Sequence, residues 1–142
     1  MNMAKSTLTV VRIALFLATG AMAISLGAQA GAPRYTDLLL SDTKDGAAKQ
    51  VFTPTTPKIF LSSKLADVPT GAKLTGTWIA EKTKAAPPNY RIDSVDLTVG
   101  PLMNQANFSM SKPNAGWPAG DYRVELFING KLASTVRFKV AP

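Results

Sequence analysis

The chain has 142 residues, with 16 lysines and arginines, 9 aspartates and glutamates, and neither histidine nor cysteine. That composition excludes a thiol nucleophile, a disulfide, a His-dependent catalytic triad and a zinc site built from Cys and His. The apolar fraction of 46% and the charged fraction of 18% belong to a folded domain, not to a disordered polymer.

Met1 to Arg12 carries Lys5 and Arg12 and no acid. Ile13 to Leu26 is an uncharged, mostly apolar run of 14 residues, and Ala28-Gln29-Ala30 follows with small side chains at the cleavage positions. These three parts predict a secretory signal peptide over residues 1–30. The apolar run is shorter than the ~20 residues a spanning helix needs, so no stable transmembrane anchor is expected. The remaining 112 residues, 31–142, keep 14 basic residues against 9 acidic ones, a net charge of +5. Export to the periplasm or beyond is implied. A cysteine-free exported domain must hold by packing alone, and one of this size buries roughly two thirds of its unfolded-chain surface.

Residues 31–48 read as a lead-in, with an apolar patch at Leu38-Leu39-Leu40 and a polar stretch from Ser41 to Gly46. Beyond it, over 49–142, short alternating segments recur between Pro, Gly and Asn, and no window holds a 3.6-residue period. The predicted strands are Lys49–Thr53, Lys58–Leu65, Ala72–Lys82, Arg91–Val99, Ala106–Ser111, Asp121–Ile128 and Lys131–Val140. Their inward sets include Ile59, Leu61, Ser63 and Leu65, then Leu74, Gly76, Trp78 and Ala80. Val95, Leu97 and Val99 follow, then Phe108 and Met110. Tyr122, Val124, Leu126 and Ile128 come next, and last Leu132, Ser134, Val136, Phe138 and Val140. Asn129-Gly130 joins the last two strands, and this dipeptide is the strongest two-residue hairpin signal because both central residues need positive φ.

Seven short antiparallel strands, a Trp in the third and Gly120-Asp121-Tyr122 opening the sixth resemble an immunoglobulin-like β-sandwich. The segment Gly116 to Val124, with its Pro-x-Gly-x-Tyr motif, and the ending Phe138-Lys139-Val140 are similar to secreted bacterial domains of this kind. The resemblance covers residues 49 to 140 and departs from antibody domains in lacking both cysteines. It implies an all-β, disulfide-free sandwich, with Tyr122 at a tyrosine corner and Trp78 in the core. Fold alone does not imply function.

Residues able to carry chemistry are few. Asp93 and Asp96 are three apart on a strand, so they face opposite ways and cannot act as a carboxylate pair. Ser62, Ser63 and Ser109 have no imidazole partner. Asp42 to Gly46 lacks the alternating acids and closing Glu of a calcium loop, and Lys44 opposes a cation. No catalytic residue, metal site or cofactor is expected, and the singly spread basic residues with no stacking platform argue against nucleic acid. The candidate partner-binding residues are Ile79 and Phe127, apolar positions out of phase with the core in adjacent strands, with Arg123 and Arg137 beside them. Folding back of the lead-in over this face is the competing expectation. Trp117, in a Gly/Pro loop, is read as a plug over the end of the sandwich or as a contact residue. Tyr90 ends the proline-stiffened loop Ala85-Ala86-Pro87-Pro88-Asn89. The expected function is non-enzymatic binding in the cell envelope, to a protein, an anionic glycan surface or a second copy of the chain. The alternative is an inhibitor or accessory subunit of a secreted enzyme, acting through that loop.

Overall fold

In a computed structural model of the chain, the described residues are 31–142; the expected signal peptide lies outside them. The described part forms one unit, Ala32–Pro142. Eight strands follow one another: β1 Arg34–Ser41, β2 Val51–Phe52, β3 Lys58–Ala66, β4 Lys73–Thr83, β5 Tyr90–Thr98, β6 Gln105–Ser111, β7 Gly120–Ile128 and β8 Lys131–Val140. They make two sheets, β1-β3-β6 and β2-β8-β7-β4-β5. All neighbours are antiparallel except β2 and β8, which run parallel.

This order is that of an immunoglobulin-like sandwich. β1, β3 and β6 stand where strands A, B and E stand, and β4, β7 and β8 where C, F and G stand. β5 remains hydrogen-bonded to β4 and does not cross to the other sheet, so β6 has a single neighbour, β3.

The lead-in expectation differs from what is observed. Residues 34–41 are the first strand, paired with β3 from Arg34↔Ala66 to Ser41↔Phe60, and they do not cover the outer face of the larger sheet. The register shifts between Thr36 and Leu39, and Asp37 sits at φ 51°. One extra residue reverses the alternation, so Tyr35 and Leu40, which share no period-two phase, both reach the core.

The core lies between the two sheets. Ile59, Leu61, Leu74, Trp78, Tyr122, Val124, Leu126, Phe138 and Val140 are buried. β6 lies over β4: a Cβ added to Gly76 would come within 2.7 Å of Phe108 Cδ1, so glycine is what lets the ring seat there. At one end the core is aromatic. Phe138 stacks on Tyr122 with centroids 5.1 Å apart, and meets Phe52, Trp78 and Trp117 edge-on at 5.6, 6.1 and 6.5 Å. The β7–β8 hairpin turns through Asn129 and Gly130 at φ 51° and 82°, a conformation the Gly adopts without strain. Asn129 Oδ1 also accepts the Lys73 N–H at 2.9 Å, tying this turn to the start of β4.

Candidate interaction surface

The alternation that sends Trp78, Tyr122 and Val124 inward sends Ile79, Arg123 and Glu125 to the outer face of the five-stranded sheet. Arg123 is the centre of that face. Its Nη1 donates to Glu81 Oε1 at 3.0 Å and to Asn89 Oδ1 at 2.7 Å, and its Nε donates to Glu125 Oε2 at 3.2 Å. Arg137, directly across from Arg123 on β8, reaches the same Glu81 oxygen at 3.4 Å. The Arg123 side chain is only 16% exposed, whereas that of Arg137 is 67% exposed. Arg123 is therefore used up in organising the face, and Arg137, with Arg91 and Lys139, is among the exposed cations it presents. A shallow groove of about 410 Å³ runs beside it, bordered by Val51, Glu81, Arg137 and Lys139.

Ile79 does not belong to an exposed patch. It is 6% exposed. The β4–β5 register shifts between Trp78 and Ile79, and Ile79 pairs with Arg91 on one side and Arg123 on the other. Long arginine stems flanking an apolar residue on the same face cover it while their charged ends stay in water. Phe127 is half-buried. Its cross-strand neighbours are Thr75 and Leu132. The pairing of β7 and β8 shifts there: Leu126 faces Ser134 but Phe127 faces Leu132, which leaves Ala133 over. This bulge turns Leu132 from the predicted inward set to the outer face, where it is 52% exposed. The apolar pair on this face is thus Phe127 and Leu132. Nothing in the plain alternation of the last strand signals the reversal.

Trp117 is 2% exposed, with Nε1 donating to the Thr56 carbonyl at 2.9 Å and its ring 5.9 Å from Tyr122. It plugs the end of the core and offers no ring surface to a partner. The Tyr122 hydroxyl donates to the Pro118 carbonyl four residues upstream, the tyrosine-corner bond. Burial pushes the Tyr122 and Tyr35 phenols up to about 12. Tyr35 donates to the Phe127 carbonyl at 2.8 Å, a bond from β1 to β7 that sequence patterning does not reveal. Tyr90 is 51% exposed. It stands over an apolar cleft of about 280 Å³ with Ala86, Ile92, Pro113 and Pro118 around it. Asp42 is held by Lys49 at 2.8 Å; that hydrogen bond lowers its pKa. Among the described residues no group of three acidic side chains is placed to hold a metal. No described helix is long and apolar enough to cross a membrane.

No protein-family model and no curated protein matches the chain. Among solved structures it is similar to an immunoglobulin-like protein from Pseudomonas aeruginosa, with 15% identity and a TM-score of 0.48, over 78% of this chain and 93% of that one. It is also similar to part of the alkylpurine DNA glycosylase AlkC from Pseudomonas fluorescens, solved with DNA containing an abasic site analogue. There the identity is 14% and the TM-score 0.49, over 78% of this chain; the chain spans 30% of the glycosylase's length. The immunoglobulin-like assignment stands on the strand order itself.

Proposed function

We propose that the chain is an exported, non-enzymatic immunoglobulin-like domain that binds an envelope protein or an anionic glycan surface through the outer face of its larger sheet. The observation that carries this reading is Leu132, 52% exposed beside the half-buried Phe127. The surrounding charges are already fixed, with Arg123 held by Glu81, Glu125 and Asn89. Apolar side chains on an otherwise polar sheet face mark partner contacts. A frame of charges held in place before binding lowers the ordering cost of association. The net charge of +5 over residues 31–142 favours anionic surfaces. The non-enzymatic part is supported by Asp93 and Asp96, which pair with Trp78 and Thr75 and so stand on opposite faces of β5. Export is supported by the pattern of residues 1–30. The test immobilises the purified chain, passes a bacterial envelope extract and an acidic glycan over it, and repeats both with Leu132→Asp and Arg137→Glu. Loss of the retained protein with the first variant, or of the glycan with the second, is the expected outcome. Retention unchanged in both variants overturns the reading.

A second reading, inhibition of or accessory binding to a secreted enzyme, is favoured by one observation. The loop before β5 is pinned at Asn89, whose N–H donates to the Glu81 carbonyl at 3.0 Å and whose side chain takes Arg123, while Pro87, Pro88 and Tyr90 stay exposed. Tyr90→Ala separates the two readings: it abolishes a loop-mediated complex and leaves outer-face binding intact.

A further inference from the structure

We propose a second interaction surface: the free edge of β6 accepts an extended polypeptide segment as a fourth strand, with that segment's alternate side chains packing down on β5. Three of the four sheet edges are protected against strand addition in the ways natural sheets use. β1 carries the bulge at Asp37 and the charges of Arg34 and Asp37. β5 has its register shift opposite Trp78 and Ile79, and the charges of Arg91, Asp93 and Asp96. β2 is two residues long, is followed shortly by Pro54 and covers only Lys139 and Val140 of β8; the rest of the β8 edge carries the bulge at Ala133 and the charges of Lys131 and Arg137. β6, Gln-Ala-Asn-Phe-Ser-Met-Ser, has no charge, no proline and an unbroken register against β3.

The backbone groups it offers follow from the ladder. The N–H of Lys112 bonds the Pro57 carbonyl and the N–H of Leu65 bonds the Asn104 carbonyl, at the two ends of the β3–β6 pairing. Hydrogen-bonded pairs alternate in an antiparallel ladder. Asn104, Ala106, Phe108, Met110 and Lys112 therefore point their backbone groups at β3. Gln105, Asn107, Ser109 and Ser111 point theirs away from the sheet. Their side chains are on the exposed face, and Ala106, Phe108 and Met110 face inward.

The floor beside β6 is apolar and uncovered. β6 lies over β4 through Phe108 and Gly76, and Gly76 pairs with Val95 of β5. A residue added opposite Phe108 would stand above Val95, and its inward neighbours would follow the row of Leu97, Val95 and Asp93. Ile92, Val95 and Leu97 are only partly buried, because no strand of the smaller sheet lies above β5. The row ends near the cleft under Tyr90 and Ile92. An unpaired row of N–H and C=O groups beside an apolar floor of period two is matched by a polypeptide strand with alternating apolar side chains, not by a glycan or a nucleic acid. Asp93 in the same row favours a basic residue at the next inward position. A second sandwich joining through its own β6 meets β5, which projects past β6 in both copies.

The experiment uses the purified chain and blocked heptapeptides alternating Val, Leu or Phe with Thr, each with Lys or Glu at the last inward position. Backbone amide exchange is read residue by residue. At peptide tenfold above its dissociation constant, exchange at Gln105, Asn107, Ser109 and Ser111 slows about tenfold, while Ala106, Phe108 and Met110 are unchanged. Asn107→Pro removes one edge N–H without touching the β3 ladder, and abolishes the protection with the fold retained. Asp93→Lys reverses the preference between the Lys and Glu peptides. Three outcomes overturn the proposal: slow exchange at those four amides in the chain alone, no protection by any peptide at millimolar concentration, or equal binding to the Asn107→Pro chain. Leu132→Asp leaves this peptide binding intact, so failure here and failure of outer-face binding are read separately.

Discussion

Strands β4 and β7 present two surfaces made from alternate residues of the same segments, and the two are built on opposite principles. The inner surface is apolar and closed: Trp78, Val124 and Leu126 are at most 1% exposed, and Tyr122 lies in the aromatic cluster around Phe138. The outer surface is ionic and half open, with Arg123 bridging Glu81 and Glu125 and with Leu132 in water beside Phe127. Truncating a buried aromatic loses transfer free energy and leaves a cavity. On the outer surface the Arg123 pairs are partly buried and hold the face in shape, while the Arg137–Glu81 contact lies in solvent, where such pairs contribute little to stability. Stability should therefore reside on one side of these strands, and recognition on the other.

The comparison breaks first at Trp78. Trp78→Ala should destabilise by about 3–5 kcal/mol in chemical denaturation, and a loss under about 1 kcal/mol would place the indole on the surface. Gly76→Val comes next. Its side chain meets the Phe108 ring, and overpacking of this kind costs about 1–3 kcal/mol; a neutral result would mean that β6 shifts freely over β4. The phenols test the same inner surface through pH. Both Tyr35 and Tyr122 have their pKa raised by burial above the ordinary value of 10 to about 12. Above pH 10 the unfolded chain loses these protons while the fold keeps them, so stability is complete below pH 10 and declines as pH rises toward 12. Tyr122→Phe should flatten that decline; an unchanged alkaline slope would show the hydroxyl to be solvated. The smallest effect sharpens the outer surface: Leu132→Asp should move stability by no more than about 0.5 kcal/mol, the range for surface substitutions. A large loss would show the bulge at Ala133 to be absent and Leu132 to be core.

The absence of cysteine and histidine chemistry, the all-β class and the inward faces of β3, β4, β6 and β7 were legible in residue order, because strand alternation and the Asn-Gly turn are local properties of the chain. The expected export stands outside the described residues. What alternation did not reveal was decided by single unpaired residues. The bulge at Asp37 turned a presumed lead-in into β1, and the one at Ala133 carried Leu132 outward. The register shift opposite Ile79 set that residue between two arginines. A one-residue slip reverses every side chain beyond it, and its position depends on which strands pair, not on either strand alone. The bare edge of β6 belongs to the same class of fact. Its residues are ordinary in sequence, and only the choice of β5 to remain with β4 leaves their backbone groups facing outward with an apolar floor beneath.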